Sequence, residues 1–251
     1  MKSIFLVLAF ILPFFSIAQQ TEGEIVYDVT VKLNIELPED MAEAMKDQIP
    51  SSQSFSKALL FTEKATLYDD WKGGENEDLE IEHESDGMEI KMVMTAPENI
   101  YYSDLENGTF INSRDFFGRM FLINGDIKKY QWKLTGDQQI INGYTCQKAT
   151  CQDGDRNITA WFTPQIPIPA GPSDFNGLPG LILKIDIDNG EQVISPTEIN
   201  IKKLDKKAIT APSKGKKVSQ KEFDKIEETK KKEMEEEMGG SGGGMKVIIR
   251  N

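Results

Sequence analysis

Apolar residues recur at every second position through most of residues 23–204, and this alternation constrains the fold more than any other feature of the chain. Ile25, Tyr27 and Val29, for example, alternate with polar or smaller neighbours, as expected of a strand with one buried face. Asn-Gly pairs at 107–108, 124–125, 142–143 and 189–190 interrupt the alternation and predict hairpin turns. Because the crossover helices that parallel strands require are absent from the pattern, we predict an antiparallel meander.

Long strands with a single apolar face curl into a half-barrel or a barrel, or pair as a sandwich. We therefore predict a mainly β protein whose antiparallel domain spans residues 19–213, with a curved sheet in half-barrel or barrel form. One short amphipathic helix is predicted at residues 38–49, between Pro38 and Pro50, and we expect it to pack on the sheet. Its methionines, Met41 and Met45, are interpreted as core residues.

The N-terminal residues have the features of a signal peptide. Lys2 precedes an apolar run over residues 4–15, and Ser16 and Ala18 supply the small residues that a signal peptidase reads. The run is shorter than the roughly 20 residues of a membrane-spanning helix, and no cysteine follows it for lipid attachment. We predict cleavage after Ala18, and a periplasmic or secreted protein that has no transmembrane span once residues 1–18 are removed.

The C-terminal region differs in composition from the rest of the chain. Residues 214–238 are rich in lysine and glutamate and predict a charged helical segment, of which Phe223 and Ile226 can dock one turn onto the body. Residues 239–251 predict a glycine-rich linker and a short terminal strand, and whether that strand rejoins the sheet stays open.

The chain is acidic, with a formal net charge of −12 at pH 7. Removal of residues 1–18 takes away one positive charge, that of Lys2, and makes the chain more acidic still. Nucleic acid is therefore not expected as a partner, because its phosphates repel an acidic protein. By the same argument, net charge alone does not favour docking on anionic lipid.

A motif-rich stretch occupies residues 141–187. It contains Gly-Tyr-Thr-Cys at 143–146, Trp-Phe-Thr at 161–163, and the hexamer Gly-Leu-Pro-Gly-Leu-Ile at 177–182. Between the last two lies a segment so rich in proline that it cannot join a central strand, since each proline lacks a backbone donor and has a fixed φ. Two interpretations follow: a rigid loop that closes one end of the curved sheet, or a rigid platform for a partner or ligand.

With these motifs in this order, the chain resembles the GLPGLI family of exported Bacteroidetes proteins over about a fifth of its 251 residues. The resemblance implies an envelope or secreted role, and it brings no catalytic residue with it. If the stretch binds a partner, the residues that we expect to form the surface are those of the motifs: Cys146, Trp161, Pro167, Pro172, Gly177, Leu178, Pro179, Gly180 and Leu181.

The chemistry-bearing residues are few. Cys146 and Cys151 would lie on the order of 16 Å apart on an extended strand, whereas a disulfide needs less than about 7 Å between Cα atoms. We predict two free, buried thiols, with an intermolecular disulfide as the alternative. His83 is the only histidine, and with Met88 and Met92 it could supply soft ligands for Cu(I). The acidic run over residues 75–86 lacks calcium-loop spacing and is interpreted as a solvated strand face.

These observations predict a non-enzymatic exported envelope protein without a cofactor or resident metal. Its function would be that of a β scaffold that binds an apolar ligand or an outer-membrane or periplasmic partner. The alternative is a metal-handling protein or a metal-dependent hydrolase that uses His83 with methionine and carboxylate ligands.

Overall fold

The computed structural model describes residues 21–36, 49–74, 78–85, 88–94, 98–239 and 246–248. The predicted signal peptide (1–18), all but the last residue of the predicted helix (38–49) and nearly all of the predicted glycine-rich linker lie outside these ranges.

Within the described residues the chain forms sixteen strands and one helix. The strands of the first half are β1 (Gly23–Lys32), β2 (Asn34–Glu36), β3 (Ser52–Phe61), β4 (Ala65–Asp70), β5 (Leu79–Ser85), β6 (Met88–Met94), β7 (Asn99–Asp104), β8 (Thr109–Phe116) and β9 (Arg119–Asp126). The second half contains β10 (Lys133–Ile141), β11 (Tyr144–Asp153), β12 (Arg156–Thr163), β13 (Leu181–Ile187), β14 (Gln192–Ile201), β15 (Lys216–Ser219), helix α1 (Gln220–Gly239) and β16 (Lys246–Ile248).

Twelve strands form one open sheet in the order β10-β11-β12-β13-β14-β1-β3-β4-β7-β8-β9-β15. Strands β9 and β10 are ten positions apart in this order, which corresponds to about 48 Å across a flat sheet. Only residues 127–132 connect them, and such a link reaches at most about 25 Å when extended. The sheet must therefore curl strongly, so that its two ends face one another across a concavity.

The inner face of the curled sheet carries the core. One row of paired residues runs Ile25, Leu59, Tyr68, Tyr101, Asn112 and Ile123 across six neighbouring strands. In the adjacent row Tyr27 lies opposite Lys57, whose ammonium group is buried and pairs with the carboxylate of Asp70. Residues from both ends of the sheet, such as Phe121 of β9 and Phe162 of β12, belong to a single apolar cluster, as the curl requires.

The outer face is partly covered by the segment that connects β14 to β15. Val26 and Ala58 point to this face, since they alternate with the inner residues, and both are buried. Ala208 lines a cavity together with Ala58, and further along the Ser113 hydroxyl donates to the Lys214 carbonyl at 3.1 Å. The segment thus crosses the outer face from β3 to β8.

Strand β15 and helix α1 lie at the edge of the sheet next to β9. Strand β15 pairs with β9 in parallel, and Phe223 of α1 packs edge-on against Phe121 and Phe116, with ring centroids 5.3 and 5.4 Å apart. Docking of Phe223 and Ile226 onto the body is thereby confirmed. The helix begins at Gln220 rather than near residue 214, because residues 216–219 extend the sheet instead.

The mainly β fold with a curved sheet is confirmed, whereas closure into a barrel is wrong because β10 and β15 remain unpaired edges of the open sheet. The hairpin predicted at Asn124-Gly125 is also wrong: both residues lie inside β9. A Cβ on Gly125 would come within 3.1 Å of the Phe110 ring, so a larger residue there would have to displace that ring. The terminal strand β16 pairs with β2 in a separate two-stranded sheet, not with the main one.

Tyr27 should stabilise the curled sheet measurably through its hydroxyl group. That hydroxyl is buried and donates to the Ile182 carbonyl of β13 at 3.0 Å. We expect Tyr27→Phe to lower the free energy of unfolding by about 1–2 kcal/mol, because a buried carbonyl loses its donor. Urea unfolding would measure this, with Tyr102→Phe on the outer face as the control, expected to change stability by less than about 0.5 kcal/mol. Equal effects of the two substitutions would contradict the assignment.

Candidate partner-binding site

The proline-rich segment, which we call the proline loop (residues 164–180), lies in the concavity of the sheet. Its apolar side chains are buried at 4% exposure or less, namely Ile166, Ile168, Ala170, Phe175 and Leu178. The loop also bonds to the start of β13, since the amides of Leu181 and Ile182 donate to the carbonyls of Ile166 and Ala170, each at 2.9 Å. The loop is therefore a rigid filling of the curved sheet.

Alternation of isoleucine and proline gives the loop its backbone geometry. The Ile168 amide donates to the Ile166 carbonyl and the Ala170 amide to the Ile168 carbonyl, each at 2.8 Å. Bonds between residues two apart define γ-turns, and the central φ of an inverse γ-turn, about −75°, is close to the value that proline imposes. Pro167 and Pro169 therefore stand at turn apices, where no amide hydrogen is needed, and both are exposed while the isoleucines point inward.

The hexamer at residues 177–182 repeats this geometry and then enters β13. The Gly180 amide donates to the Leu178 carbonyl at 2.8 Å, so Pro179 is the apex of a third turn of this kind. Gly180 has a φ of 151°, and a Cβ placed on it would lie 2.2 Å from the Thr163 carbonyl oxygen. Gly177 also has positive φ, at 88°, but its side-chain position is open, with the nearest atom 4.0 Å away. Close backbone approach thus requires glycine at position 180.

The connection from β9 to β10 holds the loop from the other side. The Trp132 indole donates to the Asn176 carbonyl at 2.8 Å, and the Tyr130 hydroxyl donates to the Asp174 carboxylate at 2.6 Å. The Tyr130 ring also packs against Phe175, with ring centroids 5.4 Å apart. Sequence reasoning missed Tyr130 and Trp132, although two aromatic residues in the lysine-rich stretch 128–133 were a signal that this link is anchored.

Charged groups beside the loop are mutually satisfied. Asp153 accepts from Lys128 at 2.6 Å and from Arg156 at 2.5 Å. Burial pushes the pKa of Asp153 upward, but the two cations outweigh it and hold the pKa below its ordinary value. Burial, reinforced by the negative charge of Asp174, raises the pKa of Tyr130 well above its ordinary range, so the phenol stays protonated and donates. Asp153 is thus kept ionised and Tyr130 protonated, and these are the forms in which they make the hydrogen bonds described above.

The earlier motif elements lie directly against the proline loop. The Thr145 amide donates to the Gln165 side-chain carbonyl at 2.9 Å, which brings the Gly-Tyr-Thr-Cys element under the start of the loop. Trp161 is partly buried, with the Lys148 ammonium 5.9 Å from its ring centroid. Of the nine motif residues, Pro167, Gly177 and Pro179 are exposed, Trp161 is intermediate, and the remaining five are buried, namely Cys146, Pro172, Leu178, Gly180 and Leu181.

Both cysteines are free. Cys146 is fully buried and Cys151 only partly, so the expectation that both would be buried holds for the first alone. Burial raises the pKa of the Cys146 thiol from 9.0 to about 11, which leaves it protonated and a poor nucleophile near neutral pH.

His83 lies in β5 opposite Ile90 of β6, but its side chain is outside the described part of the structure. Among the residues that are described, no group of three or more histidine, cysteine, aspartate or glutamate side chains could hold a metal ion. The metal-handling hypothesis built on His83 therefore stays untested. In the same described ranges, no helix is both long and apolar enough to cross a bilayer.

The fold and its site define a class: a curled, open β-sheet whose concavity is filled by a proline loop. A family model described as "Protein of unknown function (Porph_ging)" matches residues 152–184, which include Trp161, the proline loop and the hexamer. The resemblance seen in the motifs is thus supported over this stretch as similarity to a family of unknown function, while the GLPGLI name and export stay predictions. No curated protein shows a significant match to the chain.

Solved structures of PNGF-II are similar in fold. The structure in the P21 space group is 16% identical, has a TM-score of 0.54, and is matched over 82% of this chain and 33% of its own length. The structure in the C2 space group is 17% identical, with a TM-score of 0.50, over 80% of this chain and 32% of its own. The chain thus spans about a third of the length of PNGF-II. At these identities the likeness concerns the fold alone.

The two hexamer glycines should respond very differently to alanine. Gly180→Ala should lower the free energy of unfolding by at least about 3 kcal/mol, or prevent folding, because the new Cβ collides with the backbone of Thr163. Gly177→Ala meets no neighbouring atom, and should lose only about 1 kcal/mol through its left-handed φ. Chemical unfolding of the pair measures the difference, and similar stabilities would show that position 180 tolerates a side chain.

Burial of Cys146 should be visible in its alkylation rate. We expect the folded Cys151→Ala variant, in which Cys146 is the remaining thiol, to react slowly with iodoacetamide near pH 8 and faster as the pH approaches about 11. Because the folded pKa is raised, the associated stability is complete below the unfolded pKa of 9.0 and declines as the pH rises toward 11. Rapid alkylation near pH 8 without loss of fold would contradict this burial.

Proposed function

We propose that the protein is an exported, non-enzymatic scaffold of the cell envelope that presents a rigid proline ridge to a protein partner. The proline ridge consists of the exposed proline and glycine residues of the loop, namely Pro164, Pro167, Pro169, Gly177 and Pro179. The single observation that supports it best is the division of the loop into buried isoleucines and exposed prolines, which gives a solvent-facing surface a fixed conformation.

A ridge of this kind suits protein recognition. Prolines at turn apices have little conformational freedom to lose, so binding them costs little ordering entropy. Proline-rich segments are commonly bound in grooves lined with aromatic side chains, which pack on the flat pyrrolidine rings. We therefore expect the partner to offer an apolar, aromatic-lined groove.

An apolar small ligand is less well supported as the occupant. The concavity, where a carrier would place its ligand, holds the loop's own Ile166, Ile168 and Leu178. One cavity of about 360 Å³ lies elsewhere, between the outer face and Ala208. Its walls include the charged residues Glu24, Asp69 and Lys72 beside Trp71, which is not the lining of a lipid or alkane site.

The chemistry of the site also favours binding over catalysis. Asp153 and Asp174 are occupied by Lys128, Arg156 and Tyr130, and the thiol of Cys146 is buried and protonated. Groups in these states serve poorly as general bases or nucleophiles, which need free access to a substrate and a suitable pKa.

Site-specific photo-crosslinking in living cells of the native host tests the proposal. A photoreactive amino acid at position 164, on the proline ridge, should cross-link to one envelope protein. The same amino acid at position 63, on the exposed turn between β3 and β4, should not. The double variant Pro167→Ala/Pro169→Ala should retain its fold and lose that product, because flexible alanines replace the turn apices.

Two outcomes would count against the proposal. Equal products from positions 164 and 63 would indicate random encounter with abundant proteins. A bound lipid retained in native mass spectrometry of host-purified protein, with no ridge-dependent product, would favour the carrier function instead.

A further inference from the structure

The turn between β8 and β9 contains an unusual residue. Phe116 pairs with Arg119, which leaves Phe117 and Gly118 as a two-residue turn with φ values of 53° and 70°. Positive φ at both positions is the mark of a type I′ turn, for which Asn-Gly is the favoured pair. The chain itself follows that preference between β10 and β11, where Asn142 and Gly143 have φ values of 46° and 85°.

Phenylalanine at this position is unfavourable for two reasons if nothing outside the protein contacts it. A bulky side chain is strained in the left-handed region, where asparagine is tolerated. In addition, the Phe117 side chain is 62% exposed, although its ring touches that of Phe116 at a centroid distance of 4.7 Å. Neither turn geometry nor core packing accounts for this choice, whereas an external apolar contact would.

A second unusual feature ends at the same hairpin. We define the basic strap as residues 202–217, which contain seven lysines and one acidic residue, Asp205. The segment has a net charge of +6 in a chain of −12, which leaves −18 for the rest. All seven lysines are exposed: Lys202, Lys203, Lys206, Lys207, Lys214, Lys216 and Lys217. The acidic chain thus carries a segregated basic surface.

Few acidic groups neutralise this surface. Lys202 pairs with Glu24, and Lys216 lies close enough to Glu222 to lower the pKa of that carboxyl, after the Ser219 bonds that dominate its shift. Across the described part of the chain, the other five lysines make no ion pair. Because the strap crosses the sheet from β14 to β15, these lysines are distributed along about 30 Å of the outer face.

The C-terminal part of the strap, residues 214–217, is adjacent to the turn, whereas residues 202–207 lie beside β14 and β1 at the opposite end of the strands. The Lys214 carbonyl accepts from Ser113 of β8, and Lys216 lies opposite Phe121 of β9, two residues from Arg119. Arg119 is itself exposed and follows Gly118 directly. An exposed aromatic ring is thereby flanked by cations from the hairpin and from the strap.

We propose that this end of the molecule docks on an anionic lipid surface, with Arg119, Lys214, Lys216 and Lys217 on the headgroup phosphates and Phe117 in the interface. Aromatic rings are stabilised at the headgroup level of a bilayer, and basic residues near it add to the binding. A soluble polyanion would use the lysines but offer no apolar layer to Phe117. The net charge of the protein does not prevent docking, because charges beyond about 8 Å are screened at physiological ionic strength.

Vesicle binding tests the proposal with the purified full chain. We expect binding to vesicles of phosphatidylglycerol and phosphatidylcholine in equal amounts, weakened by added salt, and none to phosphatidylcholine alone. The variant Lys214→Gln/Lys216→Gln/Lys217→Gln should bind at least tenfold more weakly, since each lysine near the surface contributes about fivefold. A matched variant, Lys230→Gln/Lys231→Gln/Lys232→Gln, makes the same charge change on α1 and should bind as the unmodified protein does.

Substitution of Phe117 separates docking from folding. Phe117→Asn should weaken vesicle binding severalfold and raise the thermal midpoint, because asparagine accepts the turn's positive φ. A lowered midpoint with unchanged binding would make Phe117 a packing residue and overturn the proposal. The proposal would equally fail if the matched α1 variant lost as much binding as the strap variant. Binding of dextran sulfate without any vesicle binding would assign the strap to a soluble polyanion instead.

Discussion

Six residues join two strands that are ten positions apart in a twelve-stranded sheet, and the rest of the structure depends on that short link. An extended chain of this length covers about half of the flat distance, so the sheet must curl until its ends face each other. The resulting concavity needs apolar filling, and the proline loop supplies it with Ile166, Ile168 and Leu178. The same link provides Tyr130 and Trp132, which bond to the loop. Curvature and loop placement are thus produced by one segment.

The loop shows how a segment that cannot join a sheet can still be part of a core. Its prolines lack the amide hydrogens that a ladder requires, yet at the apices of γ-turns none is needed. The intervening amides, of Ile168 and Ala170, bond within the loop, and those of Leu181 and Ile182 bond back to it from β13. Buried polar groups are satisfied in this way while Pro167, Pro169 and Pro179 stay at the surface. The proline ridge is rigid because the isoleucines between its prolines are buried in the core. A binding role therefore requires no further stabilising element.

Local pattern predicted the elements well and their arrangement poorly. Alternation of apolar residues correctly marked β1, in which Ile25, Tyr27 and Val29 are buried on the inner face. Strand order was beyond such reasoning, because it depends on contacts between distant residues, such as the Tyr27–Ile182 bond across 155 positions. The Asn-Gly signal failed at residues 124–125 because both residues pair with β8, where the Phe110 ring leaves little room for a side chain on Gly125. The sequence motifs indicated where the loop lies. Tyr130 and Trp132, which bond to it, belong to the connection between β9 and β10, which has no recognisable motif.

The net charge of −12 did not indicate how charge is distributed on the surface, because the chain contains a basic segment with a net charge of +6. Covering the outer face requires only a few residues of that segment: Leu204 and Ala208 approach the sheet, and the Lys214 carbonyl accepts from Ser113. The lysines between them are exposed and contribute no packing to the fold. Exposed charges of this kind rarely add much stability, so structure alone gives little reason for seven of them. Three of them, Lys214, Lys216 and Lys217, adjoin a strained aromatic turn, and we interpret that end of the strap as the part that meets an external surface.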